Sequence, residues 1–143
     1  MRNKICFLIV LATILFSNES FTQCFVGLTQ SEAQKKMKVH FPKSQLTLQE
    51  GNVKIYKVDE INSRILLKFQ AGVTIETSLV PNDLETLYSF LNFFDKEYIK
   101  IEYGLWVFKF GVTDIKLTLD YLKNETTGES IPFCFTYSFY KRL

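Results

Sequence analysis

A single histidine, a single tryptophan and three cysteines leave this 143-residue chain short of the side chains that most enzyme sites use. Any histidine-based triad or general base has only His40, close to Pro42 at the end of a helical segment, where a structural histidine is ordinary. The same scarcity denies a zinc centre its ligands. Glycine is sparse too, and neither a glycine-rich phosphate loop nor a serine nucleophile elbow occurs. The acidic pairs Asp59-Glu60 and Asp83-Glu85 fall at a turn and at a helix start, where they have simpler structural roles. No catalytic, cofactor-binding or metal-ligating residue is therefore assigned, and no cofactor is expected.

An excess of charge of one sign is also missing. Lysine and arginine total 17 against 15 acidic residues, which argues against a nucleic-acid partner held through a phosphate-contacting patch. The densest basic cluster, Gln34 to Lys38, fits the solvated side of a helix.

Nor is there a run of about 20 apolar residues, so no transmembrane span is expected in the mature chain. What the amino terminus has is shorter: Arg2 and Lys4, an apolar or near-apolar stretch from Ile5 to Phe16, then the polar SNESFTQ. That arrangement fits a secretory signal peptide over residues 1–22, with Ser20 and Thr22 as the small residues before the cut and Gln23 as the new terminus. Its removal takes Arg2, Lys4 and Glu19 and leaves 15 basic against 14 acidic residues.

Cys6 leaves with the leader. Cys24 and Cys134 then remain in an oxidising compartment and are expected to form a disulfide joining the start of the domain to its last strand, the alternative for Cys134 being a buried free thiol. Closing so long a loop is worth ~4–5 kcal/mol on the chain-entropy account. The alternative for Cys24 is lipidation, making the protein an outer-membrane lipoprotein with a structural role in the envelope, although Phe21-Thr22-Gln23 lacks the small residue expected before such a cysteine.

The remaining residues, 23–143, suit a single α+β domain with an aromatic-rich core, given 14 phenylalanines and seven tyrosines in the whole chain. A capping box at Thr29 and Glu32 starts a helix whose inward stripe is Ala33, Met37 and Phe41, and Pro42 ends it. Four strand-like segments follow to Val80, with turn signals at Glu50-Gly51-Asn52, around Glu60 to Asn62 and at Ala71-Gly72. The pattern then restarts. Asn82 or Asp83 caps a second helix with Leu84, Leu87, Tyr88, Leu91 and Phe94 at helical spacing, and Phe90 and Phe93 widen its apolar surface. Four more strands end in PFCFTYSFY. Two helices on an antiparallel sheet of about eight strands are expected, with residues 28–80 and 81–143 as two possible α-ββββ halves of a pseudo-repeat.

The segment VGLTQSEAQKKM is similar to the opening of small bacterial outer-membrane assembly and β-lactamase-inhibitor-like modules, in which a Gly-x-Thr segment caps a helix packed on an antiparallel sheet. The similarity covers a dozen residues and carries over no functional residue.

The strand LWVFKF is apolar on both faces, so it is either central and covered by a helix or offers aromatic surface to a partner; on the second reading Phe90, Phe93, Trp106 and Tyr140, the aromatics beyond what one buried face requires, are the candidate interaction surface. The function expected is an exported, non-enzymatic binding module, periplasmic or secreted, for a protein, peptide or envelope component. The alternatives are the lipid-anchored structural protein and a small secreted hydrolase working through carboxylates or tyrosines.

Overall fold

The structure is a computed structural model and describes residues 23–140. The expected leader, with Cys6, lies outside the described residues.

Helix α1 (Gln30–His40) begins at the capping box: the Thr29 hydroxyl accepts the Glu32 N–H, and the Glu32 carboxylate accepts the Thr29 N–H. Ala33 and Met37 are its buried residues, and Phe41, which caps its end, continues the same stripe. Four strands follow as a meander, β1 (Gln45–Glu50), β2 (Val53–Val58), β3 (Ser63–Gln70) and β4 (Val73–Pro81). A 3₁₀ turn over Asp59–Ile61 joins β2 to β3. Helix α2 (Leu84–Glu97) starts at Asp83, whose carboxylate accepts the Thr86 N–H. A second meander completes the fold with β5 (Ile99–Glu102), β6 (Leu105–Phe110), β7 (Thr113–Lys123) and β8 (Ser130–Phe139). The eight strands form one antiparallel sheet in the order β1-β2-β3-β4-β8-β7-β6-β5, so each meander runs inward and their last strands meet in the middle.

The period of two fixes which side is dry. One cross-strand row on the helix side runs Tyr56, Ile65, Leu79, Phe135 and Leu119; the next runs Leu67, Thr77, Tyr137, Leu117 and Trp106. All ten are buried. Phe94 on α2 sits at the focus of this layer, 4.9 Å from Phe135 and 5.9 Å from Trp106 between ring centroids. The entering segment supports the same layer. Gly27 N–H donates to the Thr74 carbonyl, the Thr74 N–H donates to the Leu28 carbonyl, and the Phe25 N–H donates to the Thr77 hydroxyl. Phe25 is thereby held on the helix side with no exposed surface.

Three expectations need correction. The inward arc of α2 is Leu87, Phe90, Leu91 and Phe94, whereas Leu84 and Tyr88 are about half exposed. Seven apolar residues between Leu84 and Phe94 leave the helical period without a unique answer, and packing around Phe94 selects the arc.

Trp106 is fully buried instead of lying on an interaction surface. Its strand is covered on one side by α2, and its indole N–H donates to the Asp95 carboxylate at 2.9 Å.

The disulfide is absent, and both Cys24 and Cys134 are free and buried. Cys134 pairs with Asp120 on the helix-free side of the sheet, while Cys24 precedes Phe25 on the helix side, so the sheet separates the thiols.

Candidate functional site

Asn62 closes the 3₁₀ turn in the left-handed conformation, at φ 48° and ψ 49°. Asparagine tolerates that region better than most residues because its short amide bonds locally. Here the amide reaches further. Its N–H₂ group donates to Asp83 Oδ2 at 2.8 Å and to Thr86 Oγ1 at 2.9 Å, and its carbonyl accepts from Asn82 Nδ2 at 2.9 Å. One side chain thus clips the β2–β3 connection to the start of α2. The bonds to Asp83 from the Thr86 backbone, the Thr86 hydroxyl and Asn62 hold its carboxyl below the ordinary carboxylate value.

The clip holds open a groove of about 350 Å³ between the turn and the first three turns of α2. Phe90 and Phe93 line its floor, Thr86 and Ser89 its helix side, and Asp59 and Glu60 its rim. Phe90 packs inward on Phe94 and Phe135, and Phe93 on Phe94, so each ring has one side on the core and is only half-buried. A rigid aromatic floor loses little side-chain freedom on binding. On the rim, Glu60 Oε1 accepts the Lys43 backbone N–H at 2.8 Å, and Asp59 lies 3.6 Å from the Lys57 ammonium. The Ser89 hydroxyl donates back to the Glu85 carbonyl. These positions serve holding better than bond-making.

The structure therefore brings together two of the four expected surface aromatics, Phe90 and Phe93. Trp106 is inside. Tyr140 is 39% exposed but follows β8, with its N–H on the Asp114 carbonyl, and alternation places it with Thr136 and Ser138 on the helix-free face. In the sequence Asn62 reads only as part of a turn. No local signal marks it, since Asn82 and Asp83 lie 20 and 21 residues further on, beyond β3 and β4.

The remaining chemistry is quiet. Cys134 Sγ lies 3.5 Å from Asp120 Oδ2, which also accepts from the Thr136 hydroxyl. Burial, and then the Asp120 carboxylate, pushes the Cys134 thiol up to about 12, so it stays protonated and is a poor nucleophile. Burial pushes Cys24 up to about 11. Beside it the Lys36 ammonium donates to the Cys24 carbonyl and lies 4.9 Å from the Phe25 ring and 4.7 Å from the Phe110 ring. Burial lowers this lysine to about 8. His40 is exposed at the end of α1, held below its ordinary value by desolvation and by Lys36. Among the described residues no three of His, Cys, Asp and Glu are grouped to hold a metal ion, and no helix is long and apolar enough to cross a membrane.

No family model, curated protein or solved structure matches this chain.

Proposed function

We propose that this chain is an exported, non-enzymatic binding module of the bacterial envelope or secretome, which holds a segment of a protein, peptide or envelope component in the groove between the Asp59–Asn62 turn and α2. One observation carries the reading: Phe90 and Phe93, half-buried on a fixed core, line a preformed groove that Asn62 braces with three side-chain hydrogen bonds. Export rests on the leader-like amino terminus. The lipid-anchored alternative is disfavoured by Cys24, which has no exposed surface and sits beneath Lys36. The hydrolase alternative, which needs carboxylates or tyrosines in a cleft, has less support, since among the described residues the groove brings no tyrosine to Asp59 and Glu60.

The test is to pan a random peptide library on the purified mature protein and on a Phe93→Asp variant whose circular dichroism matches it. Peptides enriched on the first and at least tenfold depleted on the second are expected. Enrichment that survives Phe93→Asp, or none at all, overturns the groove as the binding site.

A further inference from the structure

The exposed Asp59 and Glu60 share the groove with Ile61 and the half-buried Phe90 and Phe93, and among the described residues no lysine or arginine lines it. Each carboxylate keeps capacity for another donor. Glu60 uses one oxygen on the Lys43 backbone, and Asp59 meets Lys57 only across an exposed 3.6 Å pair, of a kind that exchanges readily with solvent and with other cations. Below them, aromatic faces attract a cation through their quadrupole, and a guanidinium suits such a site because it is planar, weakly hydrated and able to stack. An acid rim over an aromatic floor rejects an acidic segment and gives a purely apolar one no partner for the rim.

We propose that the occupant of the groove is a cationic side chain, arginine above all, carried by a partner polypeptide. Its guanidinium lies against Phe90 and Phe93 and bonds to Asp59 and Glu60. This inference rests on the groove being the binding site and adds the chemical class of what it binds.

The probe is a blocked heptapeptide of glycine and serine carrying two arginines, compared with the same peptide in which citrulline replaces both. Citrulline keeps the shape and hydrogen-bonding plane but has no charge. Binding is followed by amide shifts of Asn62, Thr86 and Ser89. The arginine peptide is expected to move these resonances with an affinity at least tenfold above that of the citrulline peptide, and the difference should shrink as salt rises. The double variant Asp59→Asn, Glu60→Gln keeps the acceptor for the Lys43 N–H and should remove at least three-quarters of the preference. If both peptides move the groove resonances equally, the charge inference falls and the groove stands. If neither moves them while panned peptides of another composition do, the inference again falls alone. If neither they nor any panned peptide moves them, both fall.

Discussion

Lys36 carries its charge where burial disfavours it, and the direction of the effect on stability follows from linkage. The folded-state value is about 8 against an ordinary 10.5, so above pH 8 the unfolded chain holds more protons than the folded one and stability rises with pH. Cys24 and Cys134 act in the opposite sense. Their folded values lie near 11 and 12 against an ordinary 9, so the stability they contribute is present below pH 9 and is lost above it. Between pH 8 and 9 the lysine dominates. Urea unfolding of the native protein should show stability rising across that unit by up to about 1 kcal/mol more than in Lys36→Met. Thiol titration checks the cysteines themselves. In a chain of residues 23–143, two reactive groups are expected in denaturant without reductant, and neither should react appreciably in the folded protein at pH 8. Counting cysteines suggested a bridge. It could not show that the sheet separates them, because that depends on which strand face each occupies relative to a segment far away in sequence.

At the scale of elements, the local signals were the legible ones. The Thr29-Glu32 box, the Asp83 cap and the turns at Gly51 and Gly72 stand where the residues place them, because each rests on chemistry within a few residues. The rotation of α2 was not legible for the reason given by its excess of apolar residues, and with it the choice between a helix-covered and a surface-facing Trp106 stayed open. The groove was half legible: its floor announced itself as surplus phenylalanine, while its rim and clip come from a turn brought against α2 by tertiary packing. The β3–β4 hairpin offers a direct check of turn chemistry. Ala71 sits at φ 50°, a left-handed conformation that a Cβ makes costly, with Gly72 beside it at φ 76°. Ala71→Gly is expected to stabilise the protein by about 1 kcal/mol, and Ala71→Val to destabilise it by at least as much, measured as shifts in urea midpoint at constant slope.

At the scale of the whole molecule, the sequence announced eight strands in two meanders and left their order open, since pairing between β4 and β8 has no local trace. The seam is short, with four residue pairs from Glu76↔Ser138 to Leu79↔Phe135, yet it joins the two halves of the core. Proline at Thr136, which is paired on both sides with Ser78 and Thr118, should cost at least about 3 kcal/mol or abolish folding. Proline at Ile101, which the β5–β6 register shift leaves without a cross-strand partner on an edge, should cost less than half as much in the same urea assay. The inward course of both meanders also sets an order of events. The strand that completes the middle of the sheet is the last one in the described chain, and its partners on β4 lie more than 50 residues earlier. A chain made or threaded amino end first therefore holds β4 with a bare inner edge until residues 130–139 arrive, and its centre sets last. Folding is expected to wait on that non-local closure, and a polypeptide crossing a membrane in extended form would remain open until residues 130–139 were across.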